Sequence, residues 1–143
     1  MNYIEKMENL NLPFLKTLIL SGNQIKYIEN IQNLACLEHL DVSKNKIESL
    51  GCLGLPPPYK NLKKLLCSNN LLSMNYLDDL IFSTQNLPDI EELDFTGNEL
   101  TANKQYKYRF LYFKSLLRLD GIEIKGILKN HLEVRNFEFK GNH

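Results

Sequence analysis

The sequence predicts an α/β solenoid, in which short parallel strands alternate with loops and helices. A five-point pattern of apolar residues and asparagine occurs four times, and successive copies start 22, 25 and 28 residues apart. A repeat of roughly 20–50 residues is typical of solenoids, because each unit must stack on its neighbours to bury an apolar face. No apolar run approaches the roughly 18 residues that a membrane helix needs.

The pattern consists of three apolar residues on a short strand, an asparagine three positions later, and one more apolar residue. Its four copies are Leu15, Leu18, Leu20, Asn23 and Ile25; Leu37, Leu40, Val42, Asn45 and Ile47; Leu62, Leu65, Cys67, Asn70 and Leu72; and Ile90, Leu93, Phe95, Asn98 and Leu100. A partial fifth copy begins at Leu116. We therefore expect a single domain over residues 1–143, with repeats that start near 15, 37, 62, 90 and 116.

The asparagines are expected to stabilise the turns that follow the strands. A side-chain amide can bond to turn backbone groups that would otherwise be buried without partners. Stacked repeats would align these side chains in a structural ladder, formed by Asn23, Asn45, Asn70 and Asn98.

The pattern L-x-x-L-x-L-x-x-N-x-L resembles that of the leucine-rich repeat family. The continuation "IKYIENIQNLACL" is similar to the 22-residue class found in the phosphatase-one regulatory subunit, the axonemal dynein light chain and the spliceosomal A-prime protein. The resemblance implies a right-handed solenoid with a parallel sheet on its concave face and helices and loops on its convex face. It also implies a non-catalytic protein-interaction scaffold that belongs to a phosphatase, dynein or spliceosomal assembly.

The two ends of the repeat array differ. Ile4 and Met7 match Ile25 and Ile28, so the chain begins within a repeat, which suggests a fragment, a short isoform or an unusual cap. The first predicted strand then has an open edge unless residues 1–14 cover it. At the other end, "YKYRFLYFKSLLRLDGIEI" resembles the C-terminal cap of intracellular leucine-rich repeat proteins. The cap spans about 104–124, followed by a tail over 125–143.

Helical segments are predicted at three places. Leu77, Leu80, Ile81 and Leu87 have roughly helical spacing. Within the cap, an apolar helix would place aromatic side chains over the last repeat. Its covering residues are Tyr106, Phe110, Phe113 and Leu116. In the tail, helix-spaced apolar residues would either fold back on the cap or form an exposed helix for a partner; they are Ile124, Ile127, Leu128 and Leu132.

Residue patterns for catalysis, metal binding or cofactor binding are missing from the sequence. The histidines His39, His131 and His143 lack ligand spacing, and the glycines form no phosphate-binding pattern. The three cysteines have no paired spacing, which is typical of core residues in a reducing compartment; they are Cys36, Cys52 and Cys67. We therefore expect no enzyme activity, no metal and no cofactor.

The predicted concave surface carries the candidate partner-binding residues. Side chains between the buried leucines of each strand point away from the core. Ile19 and Leu66 would be exposed apolar anchors among charged neighbours. The full predicted site comprises Ile19, His39, Asp41, Lys64, Leu66, Glu92 and Asp94. The partner, a helix or a small domain, would bind a monomer of this chain in the cytoplasm or nucleus, including a cytoskeletal or ciliary location.

Two alternatives use other parts of the chain. Residues 101–143 carry 9 Lys/Arg against 4 Asp/Glu, and "LLRLDG" resembles the cap of the messenger-RNA export receptor's repeat domain. A nucleic-acid-associated adaptor would use the basic residues Lys104, Lys107, Arg109, Lys114 and Arg118. The second alternative is "PPPY" (Pro56 to Tyr59), which matches a short ligand motif of WW domains, although a stiff loop that extends the second repeat is the preferred interpretation.

Overall fold

The protein is described by a computed structural model over residues 2–51, 59–85 and 87–128. Its described strands form one six-stranded sheet in chain order. The strands are β1 (Thr17–Ile19), β2 (His39–Asp41), β3 (Lys64–Leu66), β4 (Glu92–Asp94), β5 (Arg118–Leu119) and β6 (Ile122–Glu123). Neighbouring strands from β1 to β5 are parallel, whereas β6 is antiparallel to β5. The predicted solenoid of stacked strand–loop units is confirmed.

The register of the sheet follows the repeat pattern. Each strand contributes one leucine to a column beneath the sheet, formed by Leu18, Leu40, Leu65, Leu93 and Leu119. From Leu40 onward these side chains are at most 1% exposed. Because a single strand cannot bury its apolar face alone, this shared column is what makes the short strands stable.

Helices lie on the side of the chain away from the strands. A 3₁₀ turn (Met74–Tyr76) leads into α1 (Leu77–Gln85), and further 3₁₀ turns follow (Glu99–Ala102 and Tyr106–Phe110). The helix predicted from Leu77 is confirmed as far as Gln85, with Leu77 and Leu80 buried on its inner face, whereas Leu87 lies beyond its end. Asp78 and Asp79 occupy its first turn, where negative charge favours the helix dipole.

The four ladder asparagines make the same hydrogen bonds in successive repeats. Asn45 accepts a bond from the Ile25 amide (2.9 Å) through Oδ1 and donates through Nδ2 to the carbonyls of Leu20 and Val42. Asn70 and Asn98 likewise accept bonds from the amides of Ile47 and Leu72. Each asparagine therefore joins its own turn to the preceding repeat.

The residue before each ladder asparagine has a left-handed backbone. Gly22, Lys44, Asn69 and Gly97 have φ values of 74°, 56°, 53° and 76°. Only glycine adopts this conformation without steric cost, although asparagine tolerates it better than most residues. The chain therefore leaves each of the first four strands through the same turn, which places the following asparagine against the preceding repeat.

The C-terminal cap closes the array, but its helical segment differs from the prediction. Tyr106 and Phe110 lie in a 3₁₀ segment rather than an α-helix, and their rings meet edge-on with centroids 5.4 Å apart. Leu116 is buried, whereas Phe113 is only partly buried against Phe110. Only five residues separate Gln105 from Leu111, and a tighter 3₁₀ arrangement is enough to place the Phe110 ring over Phe95 and the Tyr106 ring against Phe110.

The Leu-Asp-Gly sequence at the end of the cap forms a tight turn between β5 and β6. Asp120 and Gly121 both have positive φ values, of 53° and 79°. Asp-Gly is a favoured pair for such a hairpin because both positions need a left-handed backbone. Strand β6 thereby covers the last parallel strand of the repeat array.

Some residues named in the sequence analysis lie outside the part of the chain that the structure describes. These residues are Cys52, the prolines at 56–58, His131, Leu132 and His143. Residues 124–128 are helical, and Ile127 is buried while Leu128 is 42% exposed. Packing of Ile127 against the cap favours the fold-back arrangement for this part of the tail. No helix among the described residues has the length and apolar character to span a bilayer.

Candidate functional site

The exposed side of the sheet presents the residues that the sequence analysis predicts to be concave. We call it the open sheet face and define it by two columns of side chains. The first column runs across the strands as Thr17, His39, Lys64, Glu92 and Arg118, and the second as Ile19, Asp41, Leu66 and Asp94. The register thus brings all seven predicted site residues onto one surface. Binding at this surface remains a prediction.

The first column is largely paired within itself. Lys64 Nζ lies 3.0 Å from a Glu92 oxygen, and Arg118 Nε lies 3.4 Å from the other oxygen of the same carboxylate. These side chains are 24% to 50% exposed, so solvent weakens the pairs and they contribute little to stability. Two cations share one carboxylate, so the column keeps a net charge of +1 rather than the two free positive charges that the sequence suggests.

His39 has an unusual position in the first column. It is half-buried, and its Nε2 atom is buried without a hydrogen-bond partner among the described residues. A buried polar atom without a partner costs free energy. His39 therefore has a buried hydrogen-bonding atom without a partner, beneath the second strand of the open sheet face.

The second column alternates apolar and acidic side chains. Ile19 is 60% exposed, and Leu66 is half-buried between Asp41 and Asp94 on the adjacent strands. Parallel strands lie about 4.8 Å apart, so the four side chains form a row roughly 14 Å long. This row contains two negative charges and no basic side chain. It therefore offers both apolar contact and unbalanced negative charge.

The two aspartates also stabilise the turns after their strands. Asp41 Oδ1 accepts a hydrogen bond from the Ser43 amide (3.0 Å), and Asp94 Oδ1 accepts bonds from the Thr96 amide (3.0 Å) and hydroxyl (2.8 Å). Sequence reasoning treated these aspartates as surface charges and missed this role. The signal was present, because Asp-x-Ser and Asp-x-Thr are common in side-chain-stabilised turns.

Asp120 does not extend the second column, although it follows β5 at the equivalent sequence position. Its left-handed backbone redirects the side chain, and its Oδ1 accepts a bond from the Phe95 amide at 2.7 Å. Burial raises the pKa of this carboxyl above its usual range. Burial raises the pKa of the Tyr106 hydroxyl as well, and the negative charge of the Asp120 carboxyl raises it further. Asp120 therefore connects the cap to the previous repeat.

Cys67 lies directly beneath the acidic row. Its thiol lies in the core. Burial, and to a smaller extent the charges of Asp41 and Asp94, raise the pKa of this thiol to about 12. A thiol with this pKa stays protonated near neutral pH and is a poor nucleophile. The described residues contain no group of three or more His, Cys, Asp or Glu side chains arranged to hold a metal ion.

The basic residues of the nucleic-acid alternative do not form one surface of free charges. Arg109 is bonded to Asp78 at 2.8 Å, and Arg118 is paired with Glu92. Lys107 lies over the ring of Tyr108, with its Nζ 5.5 Å from the ring centroid. Contacts of this kind leave less positive charge available to phosphates than the sequence count suggests.

The PPPY stretch is only partly described. Tyr59 packs against the hydrophobic core and is half-buried, so its ring already has a structural role. The three prolines lie outside the described ranges. Recognition by a WW domain remains a prediction without structural support.

Comparisons with known proteins identify the repeats. A family model described as Leucine Rich repeats (2 copies) matches residues 13–55. The U2 small nuclear ribonucleoprotein A′ of Candida albicans is 31% identical over 147 aligned positions, which cover 85% of this chain and 60% of that protein. A Drosophila melanogaster structure, described as the SNF/U2A′ complex, superimposes with a TM-score of 0.70 and 25% identity and covers 85% of this chain and 69% of that one.

Two Dictyostelium discoideum proteins contain similar repeats within much longer chains. The Rho GTPase-activating protein gacW is 33% identical over 66% of this chain, and the probable serine/threonine-protein kinase pats1 is 30% identical over 92% of it. These matches span only 8% and 4% of the two relatives, and the A′ match also falls short of two thirds of its relative. The likeness to the two signalling proteins therefore concerns the repeats alone. Residues 13–55 match the leucine-rich repeat family, and the chain as a whole is similar to the U2 small nuclear ribonucleoprotein A′.

Proposed function

We propose that the chain is a non-catalytic adaptor that binds a partner protein on its open sheet face. The supporting observation is the row formed by Ile19, Asp41, Leu66 and Asp94, which combines an exposed and a half-buried apolar side chain with two negative charges. The A′ likeness supports a protein partner, because the Drosophila structure is that of a complex with SNF. It also favours a nuclear ribonucleoprotein setting over a cytoskeletal or ciliary one.

An α-helix that carries alternating apolar and basic residues fits the row. A helix advances about 5.4 Å per turn, which is close to the strand spacing of about 4.8 Å. A helix lying across the strands could therefore present one side chain per turn to successive positions. Apolar residues would contact Ile19 and Leu66, and basic residues would approach Asp41 and Asp94.

Titration of the purified chain with Drosophila SNF, followed by calorimetry, tests this proposal. Substitution Leu66→Arg or Ile19→Arg should weaken binding by about tenfold or more, because each removes an apolar anchor from the interface. Tyr27→Arg is the matched control, since Tyr27 is 61% exposed but lies outside the open sheet face. Equal affinity in all four proteins would contradict the proposal, provided that their thermal melts agree.

Association with a ribonucleoprotein is proposed to occur through the protein partner rather than through direct phosphate contacts. The pairing of Arg109 with Asp78 and of Arg118 with Glu92 supports this choice. Binding of a single-stranded RNA by the isolated chain should be weak. If the chain binds RNA tightly, with an affinity that falls steeply as salt rises, the nucleic-acid alternative replaces this proposal.

A further inference from the structure

A groove lies between α1 and the C-terminal cap. One wall comes from α1 and the loop after it, and the other comes from the cap. Its volume is about 520 Å³, which is within the range of roughly 300–1,000 Å³ that is typical of ligand pockets. We call it the cap groove and define it by Ile81, Pro88, Arg109, Tyr112, Phe113 and Lys114. None of its lining residues belongs to the open sheet face.

Contacts within the protein hold the two walls of the cap groove in place. Arg109 of the cap is bonded at 2.8 Å to Asp78, in the first turn of α1. The Ser115 hydroxyl donates to the Ile90 carbonyl at 2.6 Å. Because these bonds connect the cap to the preceding repeat, the groove is preformed, and a ligand would not have to order it.

The floor of the cap groove is apolar. Leu87 and Ile90 are buried there, and Ile81 and Phe113 are partly buried and pack against the core. At the rim, the Tyr112 side chain is 82% exposed. An apolar side chain of a ligand could cover the remaining exposed surface and remove it from water.

Positive charge surrounds the cap groove. Its lining contains Arg109 and Lys114 but no carboxylate, and the exposed Lys114 has no ion pair within the described residues. Residues 101–128 contain six Lys or Arg against two Asp or Glu. Arg109 and Arg118 are paired with carboxylates from other parts of the chain, which leaves four lysines against two carboxylates. The charge at the groove therefore favours an anionic ligand.

We propose that the cap groove binds a short acidic segment of a partner protein, with one apolar side chain on the groove floor and a carboxylate at Lys114. A peptide fits the groove better than a nucleic acid does. Single strands bind to successive exposed rings and a track of cations. Among the lining residues only Tyr112 is an exposed aromatic, and only Lys114 is a cation without a carboxylate partner in the described structure.

Phage display of a random dodecapeptide library on the immobilised chain tests the proposal without assuming a partner. We expect an enriched class of peptides that combine several acidic residues with a leucine, isoleucine or phenylalanine. Selection on the Lys114→Glu variant should lose this class, because the variant places a negative charge in the groove. A selection on the parent chain that yields no acidic class would overturn the proposal.

Fluorescence anisotropy of a labelled peptide from the acidic class then locates its site. Lys114→Glu should weaken binding by about tenfold or more, because it removes the free cation of the groove. Lys125→Glu is the matched control, since Lys125 is also exposed in this part of the chain but does not line the groove. Equal effects of the two variants, with unchanged thermal melts, would contradict binding in the cap groove.

A second comparison tests the apolar part of the site. Tyr112→Ser should weaken binding of the same peptide, whereas Tyr27→Ser should not, because Tyr27 is exposed elsewhere on the chain. Competition with a single-stranded oligouridylate tests the other class of anion. If the oligonucleotide displaces the peptide at a comparable concentration, the groove is a nucleic-acid site and the proposal is wrong.

Discussion

At the scale of single residues, the ladder asparagines stabilise this fold more than their small size suggests. Asn45 contacts two repeats, and it bonds to a buried amide and to three carbonyls through hydrogen bonds that are mostly buried. Asn23 makes the corresponding bonds at the N-terminal end, where it is only half-buried. The ladder asparagines are therefore expected to contribute different amounts to the free energy of unfolding, depending on how deeply each one is buried.

Substitution Asn45→Ala should lower the free energy of unfolding by about 1–3 kcal/mol, because it leaves the buried Ile25 amide without a partner. Asn23→Ala is the matched control and should cost less, since water can reach the Ile4 amide. Urea denaturation of both variants measures the difference. Equal losses would show that burial does not control the contribution of the ladder.

The cysteines should differ in reactivity. Cys67 is buried, and its pKa is raised from the ordinary value of 9.0 to about 12, whereas Cys36 is half-exposed. Since the folded state favours the protonated Cys67 thiol, unfolding releases its proton increasingly above pH 9. The stability contributed by this group is therefore present below pH 9 and lost as the pH rises towards 12.

At pH 8 a thiol reagent should modify Cys36 quickly and Cys67 only when the chain unfolds. Peptide mapping by mass spectrometry identifies the labelled residue at each time. Rapid modification of Cys67 in the folded protein would contradict the burial of this thiol. Addition of urea provides the control, because both thiols should then react at similar rates.

At the scale of elements, the repeat is a strand followed by a left-handed turn. The turn residue is glycine in the first and fourth repeats but lysine or asparagine in the second and third. A side chain is tolerated where the neighbouring repeat leaves space. At Gly97 it is not, because a Cβ atom there would lie 2.1 Å from Asn69 Oδ1, whereas at Gly22 it would meet nothing within 4 Å.

Substitution Gly97→Ala should therefore destabilise the protein more than Gly22→Ala. Both variants force an L-residue into a left-handed backbone, which costs roughly 1–2 kcal/mol. Gly97→Ala must in addition displace the Asn69 side chain from the turn of the preceding repeat. Thermal melts of the two variants compare these costs, and equal melting temperatures would contradict the contact at Gly97.

The strands, the buried columns and α1 could be predicted from sequence because each follows from a local apolar period. Leu18 and its equivalents recur at fixed offsets, and Leu77 begins a helical period. The 3₁₀ form of the cap could not be predicted, because Tyr106 and Phe110 are spaced equally well for an α-helix. The difference depends on how the Phe110 ring packs on Phe95, which is a tertiary contact.

The candidate surface was only partly predictable for a similar reason. Alternation along a strand identifies Leu66 and Asp94 as outward-facing. It does not reveal that Glu92 bridges Lys64 and Arg118, because those partners lie on different strands 26 to 28 residues away. The sequence therefore overestimates how much charge the side chains of the first column have free to attract a partner.

At the scale of the whole molecule, one continuous sheet carries the proposed interaction site. The open sheet face is proposed to bind a partner across β1 to β4, with Ile19 and Leu66 as its apolar side chains.

The central claim, that a partner protein binds the open sheet face, is tested most directly by a methyl-resolved nuclear magnetic resonance titration with SNF. The account predicts shifts or broadening of the Ile19 and Leu66 methyl signals. Leu71 and Leu128 are 55% and 42% exposed outside that face, and their signals should stay unchanged. Perturbation confined to Leu71, Leu128 or the cap, with Ile19 and Leu66 unaffected in a saturated complex, would contradict the claim.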